Sequence, residues 1–280
     1  MTSTTRNPIH LIALDLDGTL LTTKKELSKK NLDALSDAAA AGIEIVPTTG
    51  RFFTGMPELI RALPFLHYAI TINGAHVYDV VNDTVLARAE IPMLQAVEVM
   101  EYLENYDLIY DCYVDSWGWI TRAYQEKAHE FVPDEHYLRM LKVLRTPVEE
   151  LKSHLREQGK DVQKIIIFTR TDELQEELLQ LLPKRFPELL TTSSARHNIE
   201  INAAAGNKGD ALRALASRLG IPMECTMAIG DGLNDEAMLR AAGLSVAMGN
   251  AHPDILALAH EVTADCDHDG VARAIETFAL

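Results

Sequence analysis

Two aspartates stand two positions apart in Asp15-Leu16-Asp17-Gly18-Thr19-Leu20, directly after an apolar run containing Ile9, Leu11, Ile12, Ala13 and Leu14. At the end of a buried strand this spacing points both carboxylates to one face at the carboxyl edge of a sheet, where open α/β folds bind ligands. Two carboxylates so close repel each other unless a cation compensates or one takes up a proton. A magnesium ion together with a proton-transfer role satisfies both conditions. A second acidic cluster, Gly230-Asp231-Gly232-Leu233-Asn234-Asp235, also follows an apolar strand and leads into a helix, so the two edges can meet around one ion. Magnesium prefers oxygen ligands and usually takes only a couple of carboxylates, which makes Asp15 and Asp231 the candidate carboxylate ligands. Taken singly, the first pair also fits a turn and the second a helix N-cap favoured by the dipole.

Two further segments carry groups suited to an anion. Thr48-Thr49-Gly50-Arg51 follows another strand candidate, bringing a hydroxyl and a glycine-exposed amide to the same edge, although taken alone these four residues read first as a plain turn. Lys208 opens a helix, where the dipole disfavours a cation unless an anion lies between them; a solvated surface lysine is the plainer alternative.

The elements that must hold these residues follow a strand–helix rhythm. Ser28 can cap a helix running to about Ala41, with Gly42 as its stop, followed by a strand from Ile43 to Pro47. A helix from near Thr54 leads to a third strand at Tyr68 to Ile72, and Asn73-Gly74 is the strongest short hairpin signal in the chain. Strand, helix, strand, helix, strand predicts a parallel sheet. From about Asp83 to His197 the texture changes: a helix at Met93 to Tyr106, strands at Leu108 to Val114 and Trp117 to Arg122, helices at Pro147 to Gln158 and Thr171 to Leu182, and strands at Val162 to Thr169, near Leu190 and near Ile199. An α+β module with an antiparallel sheet fits. The first rhythm then resumes: helix Lys208 to Leu219, strand Thr226 to Ile229, helix Asn234 to Ala242, strand Leu244 to Met248, helix His252 to Ala259 and a last helix after Gly270. The fold class expected is α/β, a Rossmann-like doubly wound parallel-sheet core over residues 1–82 and 198–280, with an inserted α+β cap over 83–197.

Together these segments resemble the haloacid dehalogenase superfamily and in particular its Cof-type phosphatases: DxDGT at Asp15 to Thr19, the TGR threonine at Thr49, the motif lysine at Lys208 and GDxxND at Asp231 to Asp235. The resemblance spans essentially the whole chain, because that family inserts a large α/β cap between its second and third motifs. It implies Asp15 as nucleophile and magnesium ligand, and Asp17 as the acid and base that also lends its backbone carbonyl to the metal. It implies Leu16, Thr49, Gly50, Lys208 and Asn234 as holders of the phosphoryl group, Asp231 as a metal ligand, and Asp235 as support to the metal directly or through water. One departure is Ala203-Ala204-Ala205-Gly206 ahead of Asn207-Lys208, where a proline-containing segment is frequent. The activity implied is magnesium-dependent hydrolysis of a small phosphate monoester, a sugar phosphate or similar metabolite, with flavin and pyridoxal phosphates among the candidates. A sugar phosphomutase using the same aspartate pair is the alternative, and a non-catalytic sugar-phosphate sensor a third reading, disfavoured by retention of both the nucleophile and the metal aspartate.

Composition bounds what else the chain does. Its 26 Lys and Arg against 41 Asp and Glu leave a formal charge of −15, which repels nucleic acid and anionic membranes, so an anionic substrate must be drawn in locally. Cys112, Cys225 and Cys266 are too widely spaced for a zinc knuckle or redox pair, and no HExxH-like histidine spacing points to zinc. Residues 1–8 lack an apolar signal core and no run suggests a membrane span, so a cytoplasmic monomer or small homo-oligomer is expected. In the cap, Tyr113, Asp115, Trp117, Trp119 and Arg122 are candidate substrate contacts, although alternating aromatics on short strands also serve packing. His197 and Asn73 are candidates for the entrance and stay outside the catalytic set.

Overall fold

The computed structural model describes residues 7–132 and 135–280. The chain divides into two compact units, one built from the chain up to Arg88 together with Asn207–Leu280, the other from Ala89–Gly206.

The first unit begins with β1 (Leu11–Leu14), α1 (Lys29–Ala40) and β2 (Glu44–Pro47). Ser28 caps α1 by accepting from the Asn31 amide, and Gly42 follows at a φ of +87°, a turn out of the helix that suits a residue without Cβ. A short α2 (Glu58–Arg61) precedes β3 (Tyr68–Thr71), β4 (His76–Asp79) and β5 (Thr84–Arg88).

The second unit runs α3 (Met93–Leu103), β6 (Leu108–Val114), β7 (Trp117–Thr121), α4 (Arg122–Lys127), α5 (Glu135–Val143), β8 (Arg145–Val148), α6 (Leu151–Gln158), β9 (Lys164–Thr169), α7 (Asp172–Arg185), β10 (Leu189–Thr192) and β11 (Asn198–Ala203). Its strands form a sheet in the order β10-β11-β9-β6-β7-β8, antiparallel except for the β7–β8 pair. Apolar residues of β6, β9 and β11 pack with α3, α6 and α7 around Tyr110, Ile165, Ile167, Leu178 and Ile199.

The chain then completes the first unit with α8 (Lys208–Leu219), β12 (Thr226–Gly230), α9 (Glu236–Ala241), β13 (Leu244–Ala247), α10 (Pro253–Leu258), β14 (Glu261–Val262) and α11 (Gly270–Phe278). Among the described residues its main sheet is wholly parallel, in the order β14-β13-β12-β1-β2. Both faces are covered, which is why β1 is apolar throughout. Ile12 and Leu14 pack in one cluster with Leu35 and Ile275, while Leu11 and Ala13 pack in another with Leu212 and Met238. The sheet turns in opposite directions from β1, toward β2 and toward β12, so the strand ends beside it form the crevice of a doubly wound fold.

Four expectations need correction. The unit boundaries fall at Arg88 and Gly206, later than the expected 82 and 197, because β5 pairs with β4 of the first unit and β11 with β9 of the second. β3 meets the parallel sheet only through a parallel bridge between Thr48 and Ile70; the expected Asn73-Gly74 hairpin turn (φ 58° and 105°) forms and pairs it antiparallel with β4 in a β3-β4-β5 meander. The helix expected from Thr54 is a 3-10 turn and the four-residue α2. Residues 145–148 are an edge strand rather than the start of a helix, a place where Pro147 forfeits no ladder bond on its open side.

Candidate active site

Parallel pairing aligns Leu14 of β1 with Ile229 of β12, and the Asp15 amide donates to the Ile229 carbonyl at 3.0 Å. The two acidic segments therefore leave the sheet side by side. After Asp15 the chain folds back on itself, with Leu20 donating to the Asp15 carbonyl and Leu21 to the buried Leu16 carbonyl. Gly18 sits in this loop at a φ of +85°, and a Cβ there would lie 2.4 Å from Asp231 Oδ2. Only glycine permits both the turn and the approach.

Lys208 arrives from the other side. Asn207 caps α8 by accepting from the Asp210 amide, which makes Lys208 the first residue of the helix. Gly209 lets α8 press onto α9, since a Cβ on it would meet the Ala237 carbonyl oxygen at 2.3 Å. The fully buried Lys208 Nζ donates to Asp15 Oδ1 at 2.7 Å and to Asp235 Oδ1 at 2.6 Å. The other oxygen of Asp235 accepts from the Asp231 and Gly232 amides, both at 2.9 Å, so this carboxylate braces the turn that presents Asp231. The helix start therefore holds its cation with buried carboxylates.

The charges do not balance. Asp15, Asp231 and Asp235 each offer a carboxylate oxygen within 4.8 Å of the others, and Lys208 is the cation bonded among them. Burial, then repulsion from Asp235 and Asp231, pushes the Asp15 carboxyl well above its ordinary range despite Lys208. Burial and Asp235 push Asp231 up to about 7, against a 2.7 Å hydrogen bond from Thr19 Oγ1. Burial alone would lower the Lys208 ammonium, but Asp15 and Asp235 raise it above its usual value, so it stays charged. Three clustered carboxylates, with Asp15 and Asp231 held up by burial and neighbouring negative charge, offer only hard oxygen donors and fit a divalent cation such as magnesium.

Asp17 is set apart. Its carboxylate is gripped by Arg51, Nε to Oδ2 and Nη2 to Oδ1 both at 2.8 Å, and by Lys25 Nζ at 2.8 Å. Burial would raise it, but these two cations hold it down to about 2. Arg51 stands in the Thr48–Arg51 segment that the sequence singled out, yet its partner was not legible there. Lys25 carries no sequence signal at all, because loop closure alone brings it to Asp17.

The remaining expected residues are distributed as follows. Thr49 is buried; its hydroxyl accepts from the Arg51 amide at 3.2 Å and its carbonyl from the Asn73 amide at 3.0 Å, with Gly50 half-buried beside it. Asn234 Nδ2 donates to Asn73 Oδ1 at 3.3 Å, which brings Asn73 to the site from the hairpin turn. In the second unit, Trp117 donates to Thr146, Arg122 pairs with Glu149, Asp115 with Lys160, and Tyr113 accepts from buried Arg145. Trp119 packs with His154 on the side of the sheet covered by helices, a packing role. His197 pairs with Asp172.

One open α/β crevice thus gathers paired acidic strand ends, a helix-borne lysine and a Thr-Gly turn. Residues 12–275 match the family model described as haloacid dehalogenase-like hydrolase, and the chain belongs to that family as a Cof-type phosphoric monoester hydrolase. It is 32% identical to the 5-amino-6-(5-phospho-D-ribitylamino)uracil phosphatase YcsE of Bacillus subtilis (strain 168), over 97% of this chain and 96% of that protein. It is also 32% identical to the pyridoxal phosphate phosphatase YbhA of Escherichia coli (strain K12), over 95% and 97%. The solved structure of a haloacid dehalogenase-like hydrolase from B. subtilis superposes with a TM-score of 0.82 at 31% identity, covering 96% of this chain and all of that one. Among the described residues no helix is long and apolar enough to cross a membrane.

Proposed function

We propose that this protein hydrolyses small phosphate monoesters with magnesium, through a phospho-aspartate formed on Asp15. The observation that carries the reading is the fully buried Lys208 ammonium bridging Asp15 and Asp235 beside Asp231. Asp15, Asp231 and Asp235 would hold the cation, which when bound neutralises this carboxylate set and the charge of the phosphoryl oxygens.

In the first half-reaction an Asp15 carboxylate oxygen attacks phosphorus, the bond to the leaving oxygen breaks, and Asp17 gives that oxygen its proton. In the second, Asp17 takes a proton from water, the water oxygen attacks phosphorus, and the bond to Asp15 breaks, returning the carboxylate and inorganic phosphate. Lys208, Thr49, Gly50 and Asn234, with the Leu16 amide, hold the phosphoryl oxygens while their charge spreads. The Arg51 and Lys25 contacts keep Asp17 ionised, the form competent as a base. Serving as acid requires Asp17 to carry a proton, so those contacts must loosen when the substrate is bound.

The substrate class proposed is small phosphorylated metabolites. Two relatives of equal identity are named for different substrates, a ribitylaminouracil phosphate and pyridoxal phosphate, so the leaving group is set by residues outside the shared motifs. Phosphate release from a panel of sugar, flavin and pyridoxal phosphates, with magnesium or EDTA, tests the reading. Turnover that requires magnesium, with a phosphorylated peptide containing Asp15 after acid quench, is expected; Asp15→Asn loses both. Absence of release from every ester, or a phosphoenzyme that persists in Asp15→Asn, overturns it.

A further inference from the structure

The turn that follows β13 touches both acidic loops. The Met248 amide donates to the Gly230 carbonyl at 3.0 Å and the His252 amide to the Asp231 carbonyl at 2.9 Å. Between them Asn250 reaches the other loop: its Nδ2 donates to the Gly18 carbonyl at 2.8 Å, while its Oδ1 accepts from the Cys266 amide at 2.9 Å. Asn250 is exposed, and an exposed carboxamide ordinarily leaves its groups to water. Here both ends are committed to backbone of distant loops.

The Gly18 peptide lies between this side chain and the metal-site carboxylate. One side of it is held by Asn250; on the other, Asp231 Oδ2 lies 2.4 Å from the position a Cβ would take, and the next residue, Thr19, donates to Asp231 Oδ1 at 2.7 Å. Moving the Gly18 carbonyl therefore moves the loop that begins at Asp15 relative to Asp231.

We infer that Asn250 is a positioning residue for the divalent cation: by fastening the Gly18 carbonyl it sets the spacing of the Asp15 and Asp231 loops, and so the affinity of the carboxylate set. The inference rests on the magnesium reading above. Groups that orient ligands without touching the ion typically change metal affinity 10–100-fold when removed.

The test is binding of Mn2+, followed by electron paramagnetic resonance, to wild type, Asn250→Ala and Asn250→Asp, with thermal melting of each metal-free protein. Both variants should bind Mn2+ about tenfold more weakly, with melting temperatures close to wild type and hydrolysis restored at high metal concentration. Asn250→Asp separates geometry from charge: an ionised carboxylate cannot donate to the Gly18 carbonyl, yet its charge alone would draw a cation closer. Wild-type Mn2+ affinity in either variant, or a lowered melting temperature with affinity unchanged, overturns the inference and leaves the magnesium reading standing. A wild type that binds no Mn2+ overturns both.

Discussion

At the residue scale, Lys208 is the group on which most depends. It is wholly buried and compensates two carboxylates at once, so its removal leaves uncompensated charge rather than a simple gap. Lys208→Met should lower kcat/KM at least about a hundredfold and destabilise the fold by about 3 kcal/mol, read from steady-state kinetics and urea unfolding. A variant that melts like wild type and keeps its activity would remove Lys208 from the site. Asp17 makes a second prediction. Its folded carboxyl, at about 2, lies below the ordinary 3.8, so its pairing with Arg51 and Lys25 stabilises the protein above pH 3.8 and is lost as pH falls through about 2. With the side chain 29% exposed, the contribution is about 1–2 kcal/mol. The gap in thermal stability between wild type and Arg51→Met should be widest near pH 6 and shrink as pH drops from about 4 toward 2. A gap that widens in acid would contradict it.

At the element scale, two glycines of α8 separate positioning from stability. Gly209 meets the Ala237 backbone, so Gly209→Ala must push α8 from α9 and carry Lys208 away from Asp235; a loss of about 1–3 kcal/mol with a clear fall in kcat is expected. Gly220 ends the same helix at a φ of +69° with open space around it, so Gly220→Ala should cost about 1 kcal/mol through backbone strain and leave kcat unchanged. Melting and kinetics on the pair decide between these. The elements were legible wherever one local rule governed them. The helix read from sequence as Lys208–Leu219 is bracketed in the structure by the Asn207 cap and by Gly220 in αL, and the strand read as Leu108–Val114 is β6. They were illegible where partners decide. Pro147 argued for a helix start and occupies an edge strand; the Asn73-Gly74 hairpin was legible, but not that it leaves Tyr68–Thr71 a single bridge to the parallel sheet; α4 is hidden behind residues that also read as the end of β7. Likewise, Asp15, Asp231 and Lys208 were recognisable from motif spacing, whereas the grip of Arg51 and Lys25 on Asp17 and the reach of Asn250 to Gly18 exist only once loops distant in sequence close.

At the scale of the whole molecule, the charge of −15 sets the field through which an anionic ester must approach. At saturating magnesium, kcat/KM for such an ester should rise as salt is increased from about 10 to 100 mM, because screening weakens like-charge repulsion. A fall over that range would mean that local cations dominate the approach. The division of the chain has a different consequence, one of timing. The second unit is continuous in sequence, from Ala89 to Gly206, whereas the first is assembled from two pieces. β1, which ends at the nucleophile, pairs on one side with β2 and on the other with β12, whose residues emerge from the ribosome only after the entire insertion has been made. Until then β1 has an open hydrogen-bonding edge and the Asp15 loop lacks Lys208 and Asp231. Synthesis therefore favours folding of the inserted unit first, and the nascent enzyme carries an exposed, apolar strand edge through most of its translation, the interval in which association with a chaperone matters most.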